Sequence, residues 1–509
     1  MSGIAQSRGS PGHEGAPGAL ALILVGLAWA IPLGSLAFES TRLAVVALGA
    51  LAGIVALAWL LVARAEQVAP VLLALVFLVL TVPVDKYFAY QEHVGGWPGL
   101  RISAADVFLI ALTPIAAVLW ILKRGRDAIP RTLLVLVALL VAQYFLSTAF
   151  STDRKLSLFE IAATVHSLFV AMLVATLFRP RLARWVIYAL ALQVFVHTAF
   201  ALAQVATGRP IVDGLLGGRA AVLVETLSTG GERLRPSGLF MHPIVYADFL
   251  FLSLPFVAVG LTIETRRLGR LVLGGILLMG LAGLALTLSR GAWLSAGVAG
   301  VVLFVLALRE GIVDRRIAKQ IALAALVVGL AGAAVFGPRM WQRLTQSDSG
   351  NVDVRFDLNQ IALRMVSDAP IAGQGLNTFV ETMETFDPKD VKSYFPAPAH
   401  NLYLLEASEA GIPALLLLVA IFGYVIVNPL RRMRHLEDPT LRAIVAASVA
   451  GICGLAVSQL ADFSFRLEPL RTFIWASIGL CFGALYAGEA ALRRSRSGAD
   501  ASPRRDRPN

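Results

Sequence analysis

Residues 271–308 read LVLGGILLMGLAGLALTLSRGAWLSAGVAGVVLFVLAL, and Arg290 is the only charged residue among them. The stretch divides into two apolar runs, 271–288 and 292–308, joined by Ser289-Arg290-Gly291. Each run is close to the roughly 20 residues that carry a helix across the hydrocarbon of a bilayer. In lipid every backbone N–H and C=O must find its partner within the segment, so a helix is the structure open to an apolar run of this kind. Residues 271–308 therefore predict a transmembrane helical hairpin with its one charge fixed at the membrane surface.

Outward from this hairpin the same pattern recurs. Fourteen apolar runs are expected as helices, at 19–38, 43–63, 68–84, 104–122, 132–150, 159–178, 185–206, 242–263, 271–288, 292–308, 321–337, 402–428, 442–461 and 472–492. The composition agrees: 57% of the 509 residues are hydrophobic and 15% charged, with a mean hydropathy of +0.74, far from soluble usage. The first run lacks a small-residue cleavage pattern and reads as a membrane anchor. Cys453 and Cys481 each lie in an apolar run, as small packing residues rather than a disulfide or metal pair. The ends, 1–18 and 493–509, are rich in Gly, Ser, Pro or Arg and read as tails.

The net charge of +11 does not point to nucleic acid, because the basic residues are divided among short loops between apolar runs. With the N-terminus inside, the inner loops hold 19 Lys and Arg in 52 residues against 18 in 143 outside. The positive-inside bias then puts both termini in the cytoplasm and sends the long connections 207–241 and 338–401 outward. The inner loops leave no room for a nucleotide-binding domain, and no P-loop pattern is present.

The chemistry-bearing residues lie on the outer side. Arg233-Leu-Arg235-Pro-Ser-Gly-Leu-Phe-Met-His242-Pro runs into the eighth span; Arg233 reads as a snorkelling anchor, while Pro236 and Gly238 fix a turn beside Arg235. Arg290 has little freedom on its turn, and a lipid phosphate is its natural partner. Gly291 is explained by the turn itself. Val354, Leu358, Ile361, Ala362 and Met365 recur at helical spacing, predicting an amphipathic helix that carries Arg355, with Arg364 toward solvent. Pro370 to Gly375 is a turn whose glycines are weak grounds for phosphate binding. A helix starting near His400, broken at Gly411 and restarted at Pro413, would set the imidazole at the membrane boundary. A lone His is more often structural, but three separated arginines can reach the same rim, giving one titratable base among fixed cations.

These stretches together resemble the O-antigen ligase and O-antigen polymerase superfamily of membrane glycosyltransferases over roughly residues 200–430. The features that carry the likeness are Arg235-Pro-Ser-Gly-Leu-Phe, Ser289-Arg290-Gly291, the Arg355 helix with its Pro370 to Gly375 exit, and His400-Asn401-Leu-Tyr403-Leu before Gly411. The resemblance implies an undecaprenyl diphosphate-linked glycan donor and metal-independent transfer with inversion to a sugar hydroxyl, without a cofactor, on the periplasmic face of the bacterial inner membrane. By matching position, Arg235, Arg290 and Arg355 would bind the diphosphate and His400 would activate the acceptor. Fourteen spans exceed the twelve common among ligases.

The expected organisation is a tail (1–18), seven N-terminal spans (19–206), a ligase-like region (207–428), C-terminal spans (429–492) and a basic tail (493–509). The acceptor stays open: a glycan for a polymerase, lipid A core for a ligase, or a protein for an O-oligosaccharyltransferase. The alternative is a lipid-linked oligosaccharide flippase, in which Gln193, His197 and Gln204 on the seventh run would line a pathway, although helix packing explains them too. The 64-residue outer loop 338–401, with its amphipathic helix, favours the enzyme.

Overall fold

A computed structural model describes residues 65–500, apart from 83, 123, 124, 126, 209–222, 227–231, 241, 317, 318, 321, 322, 324–336 and 338–348. The protein is an all-α integral membrane protein. Its helices are α1 (Ala65–Val79), α2 (Ala104–Ile121), α3 (Arg131–Phe150), α4 (Arg154–Leu177), α5 (Ala183–Thr207), α6 (Pro243–Ile263), α7 (Arg267–Leu286), α8 (Arg290–Arg309) and α9 (Ser349–Asp368). There follow the single turns α10 (Phe379–Thr382) and α11 (Val391–Tyr394), then α12 (Leu402–Met433), α13 (Pro439–Ser458) and α14 (Leu470–Asp500).

Among the described residues ten helices are long and apolar enough to cross a membrane, and α1 is a shorter apolar helix. Eleven of the fourteen expected runs thus coincide with a helix. Runs 19–38 and 43–63 lie outside the described residues, as does all of 321–337 except 323 and 337. Run 68–84 is cut short: α1 stops at Val79, and the chain turns into a hairpin of β1 (Asp85–Phe88) and β2 (Leu100–Ser103), antiparallel with Asp85 opposite Ser103. A second hairpin pairs β3 (Leu223–Thr226) with β4 (Glu232–Arg235), Leu223 opposite Arg235. Helix α14 continues to Asp500, eight residues into the expected tail.

The centre is built from α4, α6, α13 and α14. Over their apolar stretches α14 is 89% buried and α4 and α6 83%, whereas α7 and α8 are 22% buried and offer most of their surface to lipid. Close approach of α14 to α4 depends on Gly479 and Gly483, where a Cβ would stand 2.4 Å from the Ala171 carbonyl oxygen and 2.8 Å from the Phe178 Cβ. Small residues let helix backbones meet where no hydrophobic effect drives them together. Cys453 and Cys481 are free thiols within this packing.

The loops sort into two groups, as alternate crossing requires. The β1–β2 hairpin reaches the 370–400 segment through His93, whose Nδ1 lies 2.9 Å from Glu381 and whose Nε2 lies 3.0 Å from the Asn377 Oδ1. At the other end of the bundle Arg432 pairs with Glu489 at 2.8 Å, and the Gly125 N–H donates to Tyr486.

Candidate functional site

Arg235 closes β4, and the following Pro-Ser-Gly turn is clamped from α5. The Gln204 Oε1 accepts the N–H groups of Ser237 and Gly238, both at 3.0 Å, while its Nε2 donates to the Gly238 carbonyl at 2.9 Å. His197 accepts the Leu239 N–H and stacks on Phe240 with centroids 4.4 Å apart. Gly238 has φ +61, and a Cβ there would stand 2.7 Å from the His197 carbonyl oxygen. His197 and Gln204 thus anchor the approach to α6. So held, Arg235 is buried, and its Nε donates to the Thr287 carbonyl at 3.0 Å.

Thr287 belongs to the turn between α7 and α8. Ser289 caps α8 by accepting the Ala292 N–H, which makes Arg290 the first helical residue, with its side chain exposed. Gly291 is not required by the turn: it sits in the first turn of α8 in open space, and Leu288, at φ +55, makes the left-handed bend.

His242 caps α6. Its Nδ1 accepts the Ile244 N–H at 3.2 Å, so the neutral ring carries its proton on Nε2, a donor. Burial, then the charges of Arg235 and Arg355, hold its pKa down at about 4.

His400 takes the opposite tautomer. Its Nδ1 lies 3.2 Å from the Pro398 carbonyl, which can only accept, so Nδ1 bears the proton and Nε2 keeps a lone pair. The ring is half-buried, edge-on to Phe463 with centroids 5.4 Å apart. Burial and the Arg355 charge push its pKa down to about 4, leaving it neutral near pH 7. Asn401 caps α12 by accepting the N–H groups of Tyr403 and Leu404, and the Leu402 N–H donates to the carbonyls of Gln459 and Asp462, both at 3.0 Å. The segment bearing His400 is thereby fixed to the loop between α13 and α14.

The break in α12 falls at Gly411, with φ +84 and ψ 167. The carbonyls it releases are met by the Pro370 to Gly375 turn: the Gln374 and Gly375 N–H groups donate to Ser408 and Glu409 at 2.9 and 3.0 Å, and Ile412 donates to Pro370 at 2.8 Å. Two N–H groups of the glycine turn are therefore spent on α12, which gives the turn a structural role. Beneath it the Glu409 carboxylate accepts the N–H groups of Asn377 and Phe379, both at 2.9 Å, and pairs with Arg466 at 2.5 Å. Arg466 and Arg471 also reach Glu160, at 3.4 and 2.6 Å.

Helix α9 packs Leu358, Ile361, Ala362 and Met365 inward, each at most 1% exposed. Its Arg355 is half-buried and acts electrostatically on His400, His242 and Asp462. Arg364 is exposed and donates to the Phe386 carbonyl at 3.0 Å. The Arg233 side chain lies outside the described residues. Of the four expected site residues, Arg355 and His400 are thus coupled directly, and Arg235 joins them through His242. Arg290 follows along the turn that Arg235 holds.

Two further residues of this cluster escaped the sequence reading. His242 had one signal, a His-Pro pair opening a span, where an N-cap is expected. Asp462 had none, being one acid in a short loop. Burial pushes its carboxyl up, partly offset by the Phe463 N–H and by Arg355; Oδ1 accepts that N–H at 2.7 Å, while Oδ2 is buried without a partner among the described residues. Behind it Asp248 accepts hydrogen bonds from Ser458 and Ser464. No group of three or more His, Cys, Asp and Glu side chains among the described residues is arranged to hold a metal ion.

Comparison with known proteins gives one family and a distant structural likeness. No curated protein matches the sequence. A solved structure described as "Structural coordination of polymerization and crosslinking by a peptidoglycan synthase complex" aligns with 70% of this chain and 97% of its own, at 19% identity and a TM-score of 0.39. The family model described as O-antigen ligase matches residues 274–419, a span containing Arg290, Arg355, His400 and the Gly411 break. This O-antigen ligase domain, on a multi-pass membrane protein, supports placing the chain in the O-antigen ligase and polymerase superfamily.

Proposed function

We propose that the protein transfers a glycan from undecaprenyl diphosphate to a sugar hydroxyl on the periplasmic face of the bacterial inner membrane. The observation that carries this reading is His400: a neutral imidazole within the O-antigen ligase match, its Nδ1 committed to the Pro398 carbonyl and its Nε2 left with a lone pair beside Arg355. In this reading Nε2 accepts the proton of the acceptor hydroxyl as that oxygen attacks the anomeric carbon. The bond to the diphosphate breaks, the leaving oxygen keeps the electron pair, and a single displacement inverts the anomeric centre.

Negative charge develops on the departing diphosphate. Arg235, Arg290 and Arg355 meet it, each charge-assisted hydrogen bond contributing on the order of 1.5 to 3 kcal/mol. The Nε2–H of His242 adds a neutral donor. Asp462 offers a buried carboxylate oxygen to balance the cations when the donor is away. Donors held by the fold, as Arg235 and His242 are, suit this task because they need no reorganisation during the reaction. Metal-independent chemistry is part of the proposal.

The test is transfer by the purified full-length protein, with undecaprenyl diphosphate-linked repeat units as donor and either a second lipid-linked unit or lipid A core as acceptor. Product with either acceptor, inverted at the anomeric carbon and formed in the presence of EDTA, is expected. Absence of transfer to both would overturn the reading. The orientation is tested by impermeant thiol labelling of intact spheroplasts carrying S349C or R431C on a cysteine-free background. Labelling at 349 alone is expected; labelling at 431 alone would reverse the assignment.

A further inference from the structure

Helix α9 presents polar side chains on more than one face. Arg355 faces the cluster around His400. Asp357, Gln360 and Arg364 lie farther round the helix from Arg355, Phe356 stands on the outward face between them, and together with Asp387 and Lys389 these residues border a cleft of about 270 Å³. Its floor is apolar, formed by Ile361 and Val391, which are 1% and 0% exposed. Phe356 stands at the rim, 61% exposed, an unusual position for an aromatic ring on a helix whose inner face is already filled.

The polar groups around that ring are planar and partly uncommitted. The Gln360 amide makes no hydrogen bond to the described residues. The one intramolecular hydrogen bond described for Arg364 is that to the Phe386 carbonyl. Lys389 pairs with Asp357 at 2.7 Å, and Asp387 accepts the N–H groups of Lys389 and Lys392, so the carboxylates are fixed in place. The two cations and two carboxylates of the cleft balance. An apolar ring face beside planar amide, guanidinium and carboxylate groups, without excess charge, suits a sugar, which offers a C–H face and a rim of hydroxyls. A free phosphate would call for net positive charge, and a peptide for an unpaired strand edge or a longer apolar groove.

We propose that this cleft is a second glycan subsite, which holds uncharged sugar residues of the lipid-linked donor away from the reacting bond. The inference rests on the glycosyltransferase reading and extends it. A helix with its side chains is about 10–12 Å across, so a glycan that meets both flanks of α9 must be several sugars long. The cleft therefore acts on long donors and is passed over by short ones.

The experiment compares undecaprenyl diphosphate carrying one repeat unit with the same lipid carrying ten, both from the source bacterium, in assays of wild type, Phe356→Ala and Gln360→Ala. Phe356→Ala is expected to raise the KM for the long donor about tenfold with kcat unchanged, and to leave the one-unit donor unaffected; Gln360→Ala does the same about threefold. Because both side chains are outside the core, yield in detergent should match wild type. Equal KM changes for both donors would assign Phe356 to membrane seating and overturn the subsite, as would no change at all. Binding of the lipid-free polysaccharide is read separately by saturation-transfer NMR, where wild type gives signal and Phe356→Ala loses it. If wild type binds the polysaccharide but transfers nothing, the glycosyltransferase reading fails and the subsite stands; no binding by wild type overturns the subsite itself.

Discussion

The two walls of the candidate site are built on different principles. On the His400 side, everything is held from behind: the N-cap of Asn401, the Leu402 N–H on two carbonyls, the glycine turn on the broken helix, and a buried set of Glu160, Glu409, Arg466 and Arg471. On the Arg290 side, a hairpin that is mostly exposed to lipid presents one arginine on its first helical residue. A general base must be placed within hydrogen-bond reach of one proton, whereas a cation on a phosphate tolerates movement so long as the charge arrives. The rigid wall suits the first task and the hairpin the second.

The comparison breaks most severely if the buried charges are cut. Glu409→Ala removes the acceptor of two backbone N–H groups and leaves Arg466 facing fewer anions; losing one partner of a buried pair typically costs about 3–5 kcal/mol. Detergent-solubilised yield and thermal stability should both fall, and a variant as stable as wild type would show that the network does not hold the wall. On the same wall His400→Ala should leave yield and donor binding intact while transfer falls by roughly 10²- to 10⁴-fold, the usual worth of a positioned base. Turnover close to wild type would return His400 to a structural role.

The hairpin wall should respond more mildly. Arg290→Ala, losing a charge-assisted hydrogen bond of about 1.5–3 kcal/mol, should weaken donor use by roughly 10- to 150-fold, and Arg290→Lys should recover part of it because a point charge cannot form the bidentate fork. Arg364→Ala, on the far flank of α9, is the control and should leave transfer from a one-unit donor unchanged. If Arg290→Ala and Arg364→Ala behave alike on that donor, Arg290 is outside the site.

The smallest effect is in the pH profile. Burial and then the Arg355 charge push the His400 pKa down to about 4 by disfavouring the imidazolium. Only the neutral ring accepts a proton, so kcat/KM should be flat with respect to His400 from pH 8 to about 5 and fall below that. A bound diphosphate offsets the field of Arg355 on His400, so the acid limb of kcat should lie at higher pH than that of kcat/KM. His242 is held down in the same way, at about 4. Both rings contribute stability that is present above pH 6.5 and lost as the pH falls toward 4. Coincident acid limbs in kcat and kcat/KM would separate the diphosphate from His400.

The membrane architecture was legible because lipid leaves so little choice: an apolar run of the right length must be a helix, and eleven such runs coincide with one. The amphipathic face of α9 and the break at Gly411 were readable for the same kind of reason, since a 3.6-residue period and a glycine before proline are local signals. Arg235, Arg290, Arg355 and His400 were reached through motif and order. Their arrangement was not in the sequence, because coupling between Arg355 and His400 depends on two segments 45 positions apart folding onto one rim.

Other groups take their roles from neighbours that the fold alone supplies. Asp462 is one acid in a loop until the Leu402 N–H binds its carbonyl and Arg355 comes to face it. His242 becomes a donor, and His400 an acceptor, through the backbone group that each Nδ1 meets. The glycine turn has a structural role because the helix broken at Gly411 takes the N–H groups of Gln374 and Gly375. Apolar runs long enough to cross a membrane can be read from residue order alone, since that property depends on composition over a stretch of residues. Tautomer, burial and charge coupling depend on contacts between distant segments, and only the folded chain sets those.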